Sequence, residues 1–158
     1  MKSYIIAFLV IILDQVTKWK VVMEMDLGQR IHIIENLLYF TSHRNKGAAF
    51  GILQGQMWLF YIVTLFVLVI VVYYIQKYAK ESLLLGIALG LVLGGAIGNF
   101  IDRLFRGEVV DFIDVYIFRY NFAIFNVADM ALVMGVGFYM IQIFLEESKK
   151  REKTNGAI

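Results

Sequence analysis

Four stretches of the chain are apolar over the length of a membrane crossing. Residues 57–75 (MWLFYIVTLFVLVIVVYYI) and 82–101 (SLLLGIALGLVLGGAIGNFI) hold no charged side chain. Residues 3–23 are apolar as far as Leu13 and then meet Asp14, Lys18 and Lys20; residues 123–145 are apolar except at Asp129. A helix that crosses the hydrocarbon core needs ~20 largely apolar residues. The pattern therefore predicts four spanning helices in a single membrane-embedded domain, 1–158, with both termini on the same side. Lys2 before an apolar run suggests a cleavable signal peptide. The run continues into Asp14-Gln-Val-Thr-Lys18 with no small-x-small cleavage site, so it reads as a retained span.

The connections are unequal. Residues 76–81 are a short turn between the second and third spans. Residues 24–56 contain two runs rich in β-branched and aromatic residues, Arg30–Ile34 and Leu37–Thr41, with Glu35-Asn36 placed to turn between them. The same connection ends in Asn45-Lys-Gly-Ala-Ala-Phe-Gly51, whose Gly47 and Gly51 read as turn glycines. Residues 102–122 hold Arg103, Arg106, Glu108, Asp111, Asp114 and Arg119. Parity puts these two longer connections on one side. Lys and Arg are divided almost evenly between the two sides, but Lys149-Lys150-Arg151 directly after the fourth span is a cytoplasmic signal. The termini are therefore expected in the cytoplasm and the longer connections outside. In the third span Gly86, Gly90, Gly94 and Gly98 recur every four residues as a ridge for close helix packing. Packing within one bundle is the favoured reading over a homodimer seam, and a monomer is expected.

Composition narrows the chemistry. The chain is 60% hydrophobic and 18% charged, with mean hydropathy +0.71, which excludes a disordered chain. Zero cysteine excludes disulfides, thiol nucleophiles and Cys-ligated metals. The only histidines are His32 and His43, so no metal and no cofactor is expected. A net charge of +2 gives no case for nucleic acid. An integral membrane protein remains, whose chemistry falls to carboxylates, amides, hydroxyls, Lys and Arg.

An ionisable side chain inside a span costs ~2.5–3.5 kcal/mol on insertion scales, so each one is a functional candidate. Asp14 and Lys18 lie four apart on one helix face and read as a structural ion pair turned into the bundle. Asp129 has no basic residue one turn away; Asn126 lies on its face and can hydrogen-bond it. Asp129 sits a few residues into its span, near the outer surface, where Asp102, Arg103, Asp111 and Asp114 are candidate partners. Two carboxylates brought together cannot both ionise easily, so one keeps a proton while the other serves as base. That equipment suits water-mediated amide hydrolysis without a metal or nucleophilic residue. It equally suits a proton-coupled transporter, and composition does not choose.

Four motifs in order do choose: Asp14-Gln-Val-Thr-Lys18; Thr41-Ser-His-Arg-Asn-Lys-Gly-Ala-Ala-Phe-Gly51; Gly94-Gly-Ala-Ile-Gly-Asn-Phe-Ile-Asp-Arg103 running on to Gly107-Glu-Val-Val-Asp-Phe-Ile-Asp114; and Phe125-Asn-Val-Ala-Asp129. With these motifs the chain resembles the signal peptidase II (lipoprotein signal peptidase) family of bacterial membrane aspartyl peptidases, over almost its whole length. The resemblance implies a four-helix membrane bundle with a small extracytoplasmic β-cradle between the first two helices. It implies removal of signal peptides from diacylglyceryl-prolipoproteins, cleaved on the amino side of the lipid-modified cysteine. The enzyme would lie in the bacterial cytoplasmic membrane among its lipids, with the site near the outer surface. Asp111 and Asp129 match the catalytic pair. Asn45, Asn99, Arg103 and Asn126 match positions that shape the site or hold substrate, while Asp14, Lys18, Asp102 and Gly47 match supporting positions. The family's usual prolines are replaced by Ala123-Ile124 and Glu35.

Several readings stand beside this one. Asp114 lies three residues beyond Asp111 and could take its place, although the motif favours Asp111. Ser42 and Lys46 could form a Ser/Lys peptidase pair. A transporter predicts acids at mid-membrane and short loops on both sides, and an assembly protein would use only the glycine ridge. Arg30, Arg44 and Lys46 read as solvated or headgroup contacts, Trp19 and Trp58 as interfacial anchors, and residues 146–158 as a solvated, frayed tail.

Overall fold

The computed structural model describes residues 1–47, 55–118 and 120–155. Residues 48–54 with Gly51, Arg119 and residues 156–158 lie outside the described residues. The elements follow in the order α1 (Lys2–Glu24), β1 (Arg30–Ile34), β2 (Leu38–Asn45), α2 (Met57–Tyr78), α3 (Leu83–Arg106), β3 (Val109–Ile117), β4 (Tyr120–Phe125) and α4 (Val127–Asn155). Three of the four helices, Met57–Tyr78, Leu83–Arg106 and Val127–Lys149, are long and apolar enough to cross a membrane. α1 is of similar length, but Asp14, Lys18 and Lys20 interrupt its apolar run.

α3 is the central helix: 61% of its most apolar window is buried, against 11% for α2 and 22% for α4. Glycine makes this possible. The ridge of Gly90, Gly94 and Gly98 faces α1, where a Cβ on Gly94 would stand 2.7 Å from Val10 Cβ and one on Gly98 2.7 Å from Asp14 Oδ2. The ridge thus packs inside the bundle. α4 closes on another face, with Gly95 against the Ala128 carbonyl and Gly135 against Val92 and the Ala88 carbonyl. The outer faces of α1, α2 and α4 carry exposed Phe8, Val16, Phe66, Val69, Val133 and Phe144, apolar surface suited to lipid. Trp19 and Trp58 are also exposed, as anchors would be.

The strands form one antiparallel sheet in the order β1-β2-β3-β4. This corrects the sequence reading in two ways. Among the described residues the segment between α1 and α2 supplies β1 and β2, the two strands expected there, with Asn36 at φ 58 in the expected turn, but the sheet extends beyond this segment. β3 and β4 come from the connection that was expected to be a loop, and β4 occupies residues 120–125, so α4 starts at Val127 instead of 123. The run Val109–Ile117 (VVDFIDVYI) is β-branched and aromatic, but its acids stand three apart and break the period-2 alternation by which a half-buried strand is recognised. Both acids are in fact buried. Ala123 and Ile124 pair with Val115 and Asp114 across the β3–β4 ladder.

Two helix ends also differ. α3 runs past Ile101 to Arg106, where Gly107 at φ 70 ends it and Arg103 and Arg106 complement the carbonyl end of its dipole. The expected frayed tail is helical as far as Asn155, with an i,i+4 contact between Arg151 and Glu147. Val21 of α1 packs with Val110 and Phe112 of β3, seating the sheet on the bundle.

Candidate active site

The sheet's root brings Asp111 (β3), Asn45 (β2), Asn99 and Arg103 (α3), and Asn126 and Asp129 (the start of α4) into one polar site. Asp111 is 2% exposed. Its Oδ1 accepts from Asn126 Nδ2 at 2.6 Å and its Oδ2 from Asn45 Nδ2 at 3.0 Å. Asn45 is held in turn by the Gly47 N–H, which donates to its Oδ1 at 2.9 Å. Burial, and next the charge of Asp129, push the Asp111 carboxyl up to about 7 despite those two donors.

Asp129 lies in the first turn of α4 and not deeper in the span as expected. Asn126 stands immediately before the helix. Its Oδ1 accepts from the Asp129 N–H at 3.0 Å, while Asp129 Oδ2 accepts from the Asn126 N–H at 3.2 Å. This is the reciprocal geometry of a capping box, with Asn and Asp in place of Ser/Thr and Glu. The sequence reading of Asn126 as a partner of Asp129 is met, and the same side chain also reaches Asp111. Asp129 Oδ1 accepts a further bond from Asn99 Nδ2 at 2.7 Å. The amide pair is closed by Asn126 Nδ2 on Asn99 Oδ1 at 3.2 Å.

Arg103 borders the site. Its Nη1 donates to the Asn99 carbonyl at 3.3 Å and its Nη2 to the Gly47 carbonyl at 3.4 Å, with its guanidinium 4.7 Å from the centre of the Phe60 ring. Its Nε is buried without a partner among the described residues, a donor left over for something else. The Tyr61 hydroxyl donates to the Arg103 carbonyl at 2.9 Å, an anchor absent from the sequence reading.

Beneath lies an ionic cluster. Lys18 meets Asp14 at 2.9 Å, as the i,i+4 spacing predicted, and also Asp102 at 3.0 Å, all three being fully buried. Gln15, which sequence reasoning passed over although it stands inside the Asp14–Lys18 motif, donates to Asp14 and to the Gly98 carbonyl at 3.1 Å each.

Asp114 does not join the Asp111–Asp129 group. It faces a different set of partners: Thr41 Oγ1 and Asn121 Nδ2 at 2.7 Å and Arg30 at 3.0 Å, with Arg30 lying 5.1 Å from the Tyr39 ring centre and 5.3 Å from that of Tyr116. Arg30 is therefore a cross-sheet tie instead of the solvated group expected. Arg44 is also engaged, 3.8 Å from Glu108, and Lys46 lies 3.9 Å from the same carboxylate. Ser42 is 1% exposed and accepts from Arg44 Nη1 at 3.3 Å, while the Lys46 side chain is 68% exposed. The described contacts give no Ser42–Lys46 pair.

A helical bundle capped by a small sheet, with one asparagine bound to two carboxylates, has the equipment of a membrane hydrolase of the acid type. The chain belongs to the signal peptidase II family, whose profile matches residues 6–145. It is 58% identical to the lipoprotein signal peptidase of Halalkalibacterium halodurans over 152 residues, covering 96% of this chain and 97% of that one. It is likewise 58% identical to the lipoprotein signal peptidase of Anoxybacillus flavithermus over 157 residues, covering 99% and 94%. Among solved structures, a bacterial membrane enzyme determined in meso at 2.3 Å resolution superposes with TM-score 0.88 at 47% identity, over 94% of this chain and 90% of that one. A second, at 1.9 Å resolution, gives 0.82 at 48% identity, over 89% and 91%.

Proposed function

We propose that Asp111 and Asp129 are the catalytic carboxylates with which this enzyme cleaves signal peptides from prolipoproteins. The observation that carries the reading is Asn126, which binds both carboxylates, Asp111 through its side-chain Nδ2 and Asp129 through its backbone N–H. The carboxyl at Asp111, pushed up to about 7, keeps a proton, and Asp129, which accepts from Asn99 Nδ2 and the Asn126 N–H, serves as the base. Asp129 takes a proton from water, whose oxygen attacks the scissile carbonyl carbon as Asp111 gives its proton to the carbonyl oxygen. The tetrahedral diol then collapses. The C–N bond breaks, the proton on Asp129 passes to the leaving amine, and a diol proton returns to Asp111. The apparent pKa values belong to the pair.

The substrate is a diacylglyceryl-prolipoprotein, cut on the amino side of the lipid-modified cysteine. All four helices span, the termini are cytoplasmic, and the site lies near the outer surface with the sheet beside it. The single domain 1–158 works as a monomer. Asn45, Asn99, Arg103 and Asn126 hold substrate as well as the acids, and the spare Nε donor of Arg103 suits a substrate carbonyl. Asp14, Lys18, Asp102 and Gly47 support them.

The test is cleavage of a diacylglyceryl-prolipoprotein by the purified enzyme, with Asp111→Asn and Asp129→Asn alongside. Both variants should fold and lose turnover. Full activity in either removes that residue from the pair, and equal cleavage of the unlipidated precursor overturns the substrate reading.

A further inference from the structure

The Lys18 ammonium has three donors and no acceptor, and all three are used: Asp14 Oδ2 at 2.9 Å, Asp102 Oδ2 at 3.0 Å and Asn99 Oδ1 at 2.9 Å. Each partner reaches on to one of the acids or to the residue before it. Asp14 Oδ1 accepts from the N–H of Ala128 at 2.9 Å, immediately before Asp129. Asp102 Oδ2 accepts from the N–H of Val110 at 3.2 Å, immediately before Asp111. Asn99 turns its oxygen to Lys18 and so must turn its nitrogen to Asp129, to which it donates at 2.7 Å. One buried cation thus joins three branches, two ending on the backbone that carries the acids and one on an acid itself.

We infer that Lys18 is a positioning residue for the Asp111–Asp129 reaction, fixing the spacing of the two carboxylates through Asp14 and Asp102 and the donor on Asp129 through Asn99. The inference rests on the catalytic reading given above. A pair kept for stability alone needs only Asp14, and a buried ion pair is often no more stable than well-packed apolar residues of similar volume. Hydrogen bonds from any nearby groups would satisfy the remaining lone pairs and protons of such a pair, yet all three branches, to Ala128, Val110 and Asn99, meet the site. The other charged groups facing the cluster are Arg106, 3.4 Å from Asp102 Oδ1, Arg103 on the same helix, and the two acids brought by β3 and α4.

Two variants test this, Lys18→Met and the double variant Lys18→Met/Asp14→Asn. The double variant removes one charge of each sign and keeps a side-chain oxygen for the Ala128 N–H. In whichever folds, kcat should fall on the order of 100-fold, as for misplaced catalytic groups, with KM held within about twofold. In Lys18→Met both limbs of the kcat–pH profile should move to higher pH, because loss of the cation favours protonated carboxylates, whereas in the double variant the lost Asp14 anion offsets that shift and the fall in kcat alone is read. Gln142→Leu breaks the 2.7 Å bond to Ser82 at the far end of α3 and α4 and supplies the signature of plain destabilisation, a lower melting temperature with unmoved limbs. If Lys18→Met shows that signature, if the double variant keeps its kcat within a few-fold, or if neither variant folds, the inference is overturned and the cluster is only structural. An active Asp111→Asn or Asp129→Asn enzyme instead overturns the catalytic reading itself.

Discussion

Asn126 and Asp129 hold each other across the first turn of α4, side-chain oxygen to backbone N–H in both directions, and leave the Asn126 amide nitrogen free to bind Asp111 at 2.6 Å. A helix cap has become the joint between two acids. The fully buried Asn126 has no unused polar atom, so its loss exposes several groups at once. Replacing a cap by Ala costs about 1 kcal/mol, and leaving buried partners unpaired costs about 1–3 kcal/mol more. Asn126→Ala should therefore lower stability by a few kcal/mol. It should lower kcat much further than the unfolded fraction explains, on the order of 100-fold. Turnover scaling only with the folded fraction would show that Asn126 is a cap and nothing else.

The buried Asp111 makes stability depend on pH in a definite direction. Its carboxyl titrates at about 7 in the folded chain against 3.8 for an ordinary Asp. Between those values the native state holds a proton that the unfolded state has released, so stability falls as pH rises across the window and stays low above it. Asp111→Asn removes the cost. It should raise the melting temperature in detergent at pH 8, by an amount on the order of a few kcal/mol in stability, and change it little near pH 4. A variant less stable than the parent at alkaline pH contradicts this.

Activity should follow the same proton. The mechanism needs one proton on the pair, so the rate falls on the alkaline side as that proton is lost, with kcat/KM turning over near the value of about 7 set by burial of Asp111. It falls on the acid side once both carboxyls are protonated. Measuring kcat/KM against pH decides the matter: a rate that keeps climbing far above neutrality places the titrating base elsewhere.

Much of this was legible in residue order. The helices α2 and α3 follow from uncharged runs, and the Asp14–Lys18 pair follows from one helical turn of spacing. The glycines of α3 announce a close approach. The strand β3 stayed hidden because Asp111 and Asp114 made it look like a polar loop, and sequence carries no sign that a carboxylate will be buried. Nothing local links Lys18 to Asn99, 81 residues on, so the third contact of that ammonium needed the fold. Arg30 read as solvated for the same reason. Its acid partner Asp114, 84 residues along the chain, belongs to β3, which reaches β1 through β2.

Asp114 supplies the contrast that tests the assignment of Asp111. Both are buried acids of β3, three residues apart, and each accepts hydrogen bonds from two other side chains. Their partners differ. Asp114 binds Thr41, Asn121 and Arg30, and so ties β1, β2 and β4 to β3. Losing one partner of such a set strands the others, at about 3 kcal/mol for a buried ion pair, less here because the Arg30 side chain is 41% exposed and water-screened. Asp114→Asn keeps an oxygen for Thr41 but weakens the hold on Arg30. It should loosen the sheet, seen as faster proteolysis within β1 and β2, and raise KM while kcat stays within a few-fold. Asp111→Asn should do the reverse, sparing the sheet and abolishing turnover. If Asp114→Asn proves the inactive variant and Asp111→Asn the active one, the catalytic acid of β3 is Asp114.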